Sequence, residues 1–112
     1  MDVAIRCHEA SVPEDLRTLT EAKVAKLARY APVLEYADVR LAEFSSGPAT
    51  QRGLCEVTIV GHGHVLRTRT WGHDLPSAVD RAVDKLTHQA MRLKGKLVRR
   101  SHPKAIRAAG RS

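Results

Sequence analysis

The sequence has little of what would place the protein outside the cell or in a membrane. It holds two cysteines, Cys7 and Cys55, without Cys-x-x-Cys spacing, so no redox or metal motif is supported. Both are expected to be buried free thiols. No apolar run approaches the roughly 20 residues that span a bilayer, and Asp2 is an acid where a signal peptide carries bases. We therefore expect a cytoplasmic protein without a membrane partner.

Arrangements typical of an enzyme are also missing. No nucleophile stands beside a base, no carboxylates are paired in an apolar setting, and no glycine loop could cradle phosphates. His62, His64 and His73 raise a metal hypothesis, but a Gly-His-Gly-His turn lacks a fixed third ligand and is better explained as a polar hairpin loop. We expect no catalysis, no cofactor, no metal and no small-molecule substrate.

Acidic residues are absent from the last quarter of the chain. From Lys85 to Ser112 there are nine Lys or Arg and no Asp or Glu, whereas the first 84 residues hold ten basic and twelve acidic side chains. The formal net charge of +7 therefore comes entirely from one end. Such segregation keeps a strong field on one face and suits a polyanionic partner.

The length and composition fit one folded domain. A chain of 112 residues with 43% hydrophobic and 28% charged side chains can bury a core without disulfides or a structural metal. We expect an α/β domain over residues 1–100. The basic tail over 101–112 has no hydrophobic periodicity and is predicted to be disordered.

The first half of the chain predicts a strand, a helix and a second strand. Residues 2–8 alternate in hydrophobicity. Ser11 offers a capping hydroxyl and Pro13 is tolerated in a first helical turn, and the helix should end where Pro32 interrupts it. Residues 36–44 look extended. The apolar stripe of the helix comprises Leu16, Thr20, Val24, Leu27 and Ala31.

The second half predicts a hairpin and a long helix. Two alternating stretches meet at the turn 61–64. Asp74 is the expected N-cap of the last helix, with Pro76 inside its first turn, and the helix should reach about Val98. Its apolar stripe comprises Leu75, Val79, Ala82, Val83, Leu86, Ala90, Leu93 and Leu97.

The element order β-α-β-β-β-α predicts an α+β two-layer sandwich. The crossover implies a parallel pair and the later strands an antiparallel meander. Each helix has one apolar stripe, so both should cover one face of a four-stranded sheet. Trp71 would lie on the other face, where it either stacks on a base or packs at an edge. The arginines expected on that face are Arg6, Arg40, Arg67 and Arg69.

Basic side chains recur along the last helix at spacings of three and four, opposite the apolar stripe. RNA phosphates are the natural partner of such a basic ridge, because neutralising them releases counterions. A solvated face is the alternative for any basic helix, but this one lacks alternating acids and can join Lys23 and Lys26 of the first helix. The predicted ridge comprises Arg81, Lys85, His88, Arg92, Lys96 and Arg99, flanked by Lys94 and Arg100.

Three segments resemble the ribosome hibernation promoting factor and protein Y family. The run EAKVAKLARY at 21–30, preceded by Asp15-Leu16-Arg17, is similar to that family's EKLAKLERY helix. The segment CEVTI at 55–59 with the following turn resembles its hairpin. The segment HDLPSAVD at 73–80, with Asp84-Lys85-Leu86 and Gln89, resembles the start of its last helix.

The resemblance implies a site on the small ribosomal subunit, where the protein would contact 16S rRNA in the channel of messenger and transfer RNA and block translation by occupancy. Long members add a C-terminal domain that pairs ribosomes, so the resemblance implies a short, monomeric form. The positions that correspond to RNA-facing ones are Lys23, Lys26, Arg29, Tyr30, Lys85, Arg92, Lys94 and Lys96.

Two other functions use the same basic face. One is a general RNA or DNA binder, or a chaperone-like RNA-binding module, that acts outside the ribosome. The other is a protein-interaction module that docks an acidic partner. Competition between a random RNA duplex and the small subunit separates the first from ribosome binding, and nuclease treatment of co-purified partners separates the second.

Overall fold

The computed structural model describes residues 1–8 and 12–100, with side chains to residue 98. The predicted order β-α-β-β-β-α is confirmed. Short 3-10 turns follow α1 and precede β3. The strands are β1 (Asp2–His8), β2 (Tyr36–Glu43), β3 (Gly53–Gly61) and β4 (His64–Gly72), the helices are α1 (Glu14–Ala25) and α2 (Leu75–Arg100), and the 3-10 turns are Lys26–Arg29 and Ala49–Gln51.

The four strands form one sheet in the order β1-β2-β3-β4. β1 pairs with β2 in parallel, and the other two pairs are antiparallel. The register aligns Val39 with Val57 across β2 and β3, and both side chains are buried. A single apolar cluster joins these strands to α1 and α2, so both helices cover one face of the sheet, as predicted.

The start of α1 differs from the prediction. The helix begins at Glu14, and Pro13 is the residue before it, with an extended ψ of 143° and no side-chain cap. The carbonyl oxygen of Pro13 accepts hydrogen bonds from the backbone N–H groups of Leu16 and Arg17 at 3.0 and 3.1 Å. Ser11, the predicted capping residue, lies outside the described residues.

The end of α1 also differs, because the α-helix stops at Ala25 and the chain continues as the 3-10 turn Lys26–Arg29. The sequence predicted one regular helix up to Pro32. A 3-10 turn is common at a helix C-terminus, where it uses otherwise unpaired carbonyl groups. Leu27 and Ala31 are buried in the core, so the predicted apolar stripe continues through the 3-10 turn.

The β3–β4 hairpin turns through two residues, as the 61–64 signal predicted. His62 and Gly63 have φ values of 50° and 81°, which is the pattern of a type I′ turn and matches the twist of paired strands. Gly61 precedes the turn, and a Cβ at this position would collide with the carbonyl oxygen of Val33. The glycine therefore lets the hairpin lie against the loop before β2.

The start of α2 is the one the sequence predicted. The Asp74 carboxylate accepts a hydrogen bond from the backbone N–H of Ser77 at 2.9 Å, and Pro76 lies in the first turn. This backbone hydrogen bond, followed by one from the Ser77 side chain, lowers the pKa of Asp74 below its ordinary value of 3.8. Among residues 1–8 and 12–100, no helix is long and apolar enough to cross a membrane.

The two cysteines are both free thiols, but they differ in burial. Cys55 is buried in the core, and this burial raises the pKa of its thiol to about 12, which keeps it protonated and unreactive. Cys7 is half-buried, with its sulfur 3.5 Å from the guanidinium of Arg17. The prediction of a buried thiol is therefore confirmed for Cys55 and wrong for Cys7.

The Asp74 cap predicts an acid-dependent loss of stability. Because folding lowers its pKa, the stabilisation is fully present above about pH 3.8 and disappears as the pH falls through the lower folded-state value. Asp74→Asn keeps a capping oxygen, so we expect it to match wild type in urea unfolding near pH 7 and to depend less steeply on pH below 3.8. Identical pH profiles of the two proteins would contradict this role.

Candidate nucleic-acid interface

Three residues of the basic ridge predicted on α2, Arg81, Arg92 and Lys96, lie on the flank of the helix that faces β4. A helix turns by about 100° per residue, so burial of Leu86 and Leu93 against the sheet fixes where every other side chain points. Arg81 reaches β4 directly, and its guanidinium donates to the Trp71 carbonyl oxygen at 2.9 Å. These three side chains therefore lie beside the apolar stripe, whereas the sequence predicted the ridge on the side opposite it.

Gln89 fastens this flank to the edge of the sheet. Its side-chain oxygen accepts from the backbone N–H of Arg67 at 3.3 Å, and its amide donates to the Arg67 carbonyl oxygen at 3.0 Å. These two bonds satisfy backbone groups of an edge strand that has no further strand beside it. They also hold α2 at a fixed distance from β4.

Below Gln89 the flank opens into a cleft of about 470 Å³ between β4 and α2. Arg92 and Lys96 line one wall, one helical turn apart, and His64 lines the other. Leu66 and Leu93, which also line it, are nearly buried. The arrangement presents two permanent cations and one titratable imidazole around an apolar floor.

The opposite flank of α2 faces the end of α1. Lys94 lines a second cleft, of about 330 Å³, together with Arg29 and Tyr30. Both cationic side chains are exposed, and Tyr30 is half-buried. The structure therefore brings these three predicted residues together, but on the other side of α2 from Arg92 and Lys96.

Lys23 is neutralised by an acid. Its ammonium group donates to the Asp80 carboxylate at 2.6 Å, which joins α1 to α2. The sequence predicted that Lys23 could join the ridge. In the structure Asp80 lies on the side of α2 that meets α1, and it pairs with Lys23 there.

The remaining predicted residues have simpler surroundings. Lys26 and Lys85 are exposed, and the exposed His88 ring donates through Nδ1 to the Asp84 carbonyl oxygen one turn earlier, at 2.8 Å. For Arg99 and Arg100 only the backbone in the last turn of α2 is described, and the tail over 101–112 lies outside the described residues.

Carboxylates lie beside three of the four sheet arginines but beside none of the described lysines and arginines of α2. On the outer face of the sheet Arg6 pairs with Asp38 at 2.5 Å, and Glu56 lies 3.8 and 3.9 Å from Arg40 and Arg69. Among the described side chains, the five Lys and Arg side chains of α2 have no carboxylate within 4.0 Å, and Arg81 is the one of them that donates to the Trp71 carbonyl oxygen. The other four are Lys85, Arg92, Lys94 and Lys96.

Trp71 packs against neighbouring side chains on the outer face. Its ring lies 5.8 Å from that of Phe44, and the Arg69 guanidinium lies 5.5 Å from its centre. Leu54 pairs with Trp71 on β4 and with Ala42 on β2. Ala42 and Leu54 are only 3% and 5% exposed, although both lie outside the main core cluster. The structure thus favours the packing alternative over base stacking.

The three histidines of the metal hypothesis lie apart in their contacts. His62 faces the Glu35 carboxylate at 3.6 Å, whereas His73 lies 3.4 Å from the Asp74 carboxylate and His64 lines the cleft beside α2. Within residues 1–8 and 12–98, no three His, Cys, Asp or Glu side chains form a group that could hold a metal ion.

Sequence reasoning missed two residues that shape this flank. His64 was assigned to a polar turn, but as the first residue of β4 it faces Arg92 and Lys96. Gln89 was quoted only for its resemblance to a motif. The available signal was position: Gln89 lies four residues after Lys85 and three before Arg92, on the side of α2 that faces β4.

Comparison with known proteins identifies the family. The model of the family described as Sigma 54 modulation protein / S30EA ribosomal protein matches residues 3–98. The chain belongs to this family. Members of the S30EA family are non-enzymatic, ribosome-associated proteins involved in hibernation and translation regulation, so the recognised resemblance is confirmed.

Solved structures of similar proteins share the S30EA fold. The N-terminal domain of Protein Y from Thermus thermophilus has a TM-score of 0.71 and 26% identity, over 83% of this chain and 99% of that one. A ribosomal subunit interface protein from Coxiella burnetii has the same TM-score at 16% identity, over 85% and 99% of the two chains. A search of curated proteins finds no significant match.

The pairing of Lys23 with Asp80 predicts that two similar substitutions on α2 differ in effect. Asp80→Asn and Asp84→Asn each remove one negative charge, but only the first releases a lysine. For binding to an RNA duplex, we expect Asp80→Asn to steepen the slope of log affinity against log salt by about 0.9, the value for one added phosphate contact.

Asp84→Asn is the matched control for this measurement, because Asp84 has no salt bridge among the described side chains and should leave the slope unchanged. Both variants should change the free energy of unfolding by less than about 1 kcal/mol, as expected for exposed pairs. Equal salt slopes for the two variants would mean that Lys23 stays engaged elsewhere.

Proposed function

We propose that the protein binds the small ribosomal subunit through the unpaired cations of α2 and silences translation by occupancy. In this proposal α2 contacts 16S rRNA in the channel that messenger and transfer RNA would otherwise fill. One copy in one channel suffices, and no covalent chemistry is involved. Membership in a ribosome-associated family supplies the partner, and the electrostatics of α2 supply the contact surface.

The observation that carries the proposal is the contrast between paired and unpaired cations. The outer sheet face has four arginines, and carboxylates lie beside three of them. Lys85, Arg92, Lys94 and Lys96 on α2 have no carboxylate within 4.0 Å among the described side chains. An unpaired cation on an ordered helix keeps its full field and releases a counterion when it meets a phosphate. The sheet arginines would have to break an ion pair first.

The two flanks of α2 would contact different parts of the RNA. The cleft beside β4 holds Arg92, Lys96 and His64 around a fixed apolar floor, which suits a backbone phosphate held between two cations. Lys85 extends this track towards the N-terminal half of the helix. Arg81 and Lys23 would contribute less, because the Trp71 carbonyl and the Asp80 carboxylate already engage them.

Rigidity makes this surface fit for blocking a channel. The Gln89 bonds to β4 and the buried face of α2 fix the helix backbone that carries the cations before any partner arrives. Little backbone freedom remains to be lost on binding, so more of the electrostatic attraction appears as affinity. A protein held in this way excludes messenger and transfer RNA by volume alone.

Sedimentation with purified small subunits tests the proposal. The protein should travel with the subunits through a sucrose gradient at low salt and protect the decoding region of 16S rRNA from chemical probes. Protein that remains at the top of the gradient would refute ribosome binding. Comparable affinity for a random RNA duplex and for the small subunit would instead identify a general RNA binder.

Neutralisation of the α2 cations should weaken this binding strongly. Changing Lys85, Arg92 and Lys96 together to Gln should weaken the affinity for small subunits by about a hundredfold, at roughly 1 kcal/mol for each lost charged contact. The thermal unfolding temperature should stay nearly the same, because these side chains have no carboxylate partner among the described residues. Quantitative co-sedimentation measures the affinity, and circular dichroism the unfolding.

A second triple variant is the matched control. Changing Arg40, Arg67 and Arg69 to Gln removes the same net charge from the outer face of the sheet, on the opposite side of the molecule from the helices. We expect this variant to bind nearly as well as wild type. Equal weakening by both triples would show that only net charge matters and that α2 is not the contact surface.

A further inference from the structure

The second cleft of the helical layer differs in chemistry from the first. It lies between the end of the 3-10 turn Lys26–Arg29 and the last turns of α2, and its volume is about 330 Å³. Both clefts are lined by two cations, but the cleft beside β4 also has an imidazole and a side-chain amide on its walls, whereas the other lining residues of this one are apolar or aromatic. The apolar lining comprises Tyr30, Pro32, Leu97 and Val98.

Tyr30 follows the 3-10 turn at the end of α1 and lines this cleft. Leu27, three residues earlier, points into the core and is 1% exposed. Tyr30 packs against the same core cluster but is only half-buried, so part of this residue remains accessible. Pro32 then directs the chain away, which leaves the ring at the wall of an open groove.

Two cations mark the rim of the cleft. Arg29 and Lys94 line it from the two sides and are both exposed, and no acid is among its described lining residues. The occupant should therefore combine a small apolar or aromatic group with negative charge close to it. The tail over 101–112 does not fit, because it contains basic residues and no acid.

A nucleotide of single-stranded RNA has this combination. Unstacked bases of RNA are commonly recognised by stacking on aromatic side chains, while the phosphates on either side of the base carry the charge. The volume lies at the lower end of the range of small-ligand sites, which suits one flat ring and is too small for the apolar face of a helix.

We propose that the cleft between the 3-10 turn and α2 receives one unstacked base of the bound RNA, with Tyr30 stacking on the base and Arg29 and Lys94 holding the adjoining phosphates. This inference rests on the proposed function and adds to it. The flank beside β4 contacts backbone phosphates, whereas this cleft contacts a base, so the two flanks of α2 divide the contacts between them.

Substitution of Tyr30 tests the inference. Tyr30→Leu keeps an apolar side chain but removes the ring, and Tyr30→Phe keeps the ring but removes the hydroxyl. We expect Tyr30→Leu to weaken binding of a short single-stranded RNA roughly 5- to 100-fold, the range for one lost stacking contact, and Tyr30→Phe to bind like wild type. Fluorescence anisotropy measures the affinity, and thermal melting checks the fold.

Two matched controls accompany the variants. Tyr36→Leu makes the same change at a tyrosine that is 44% exposed on the outer face of the sheet and should leave binding unchanged. An oligomer that has the same phosphates but lacks bases should bind wild type and Tyr30→Leu equally. If Tyr30→Leu weakens binding of both oligomers alike, or of neither, the cleft does not receive a base.

Measurements with small subunits separate this inference from the proposed function. If wild type fails to bind subunits but binds single strands in a way that depends on Tyr30, the ribosomal proposal fails and the base site stands. If Tyr30→Leu binds the free strand normally but binds subunits weakly, the occupant is a protein side chain and the base site is refuted. Weak binding by Tyr30→Phe would also refute stacking.

Discussion

The burial of one apolar stripe of α2 against the sheet is the constraint on which the rest of the structure depends. Leu86 and Ala90 are fully buried, and Leu93 is nearly so. Since each residue advances about 100° around a helix, this contact decides which flank of α2 faces β4 and which faces α1. The direction of every basic side chain on α2 therefore follows from apolar contacts that carry no charge themselves.

This orientation of α2 on the sheet divides the charged side chains into a paired and an unpaired group. Where α2 meets α1, Asp80 neutralises Lys23, and on the outer face of the sheet Glu56 lies between Arg40 and Arg69. Exposed ion pairs of this kind add little stability, so their main effect is to reduce the positive field at those places. The field remains strong along the second half of α2, where the proposed RNA contacts lie.

Particular elements illustrate what could be predicted from the sequence. The β3–β4 turn and the Asp74 cap were predictable because each depends on residues adjacent in the chain. The switch of α1 to a 3-10 turn after Ala25 was not, because Lys26–Arg29 are all residues that favour an α-helix and no local signal marks the change. The family resemblance was visible in the EAKVAKLARY run at 21–30, since helical spacing and charge are local properties.

The sequence by itself determined the element order, the sheet-facing stripes and the segregation of charge, because hydrophobic period, capping residues and net charge are all written in neighbouring residues. Only the tertiary structure decided which charges remain free. Lys23 and Asp80 are 57 residues apart in the chain, and His64 reaches Arg92 only because β4 lies beside α2. Such pairings arise from the packing of distant segments, and no local pattern specifies them.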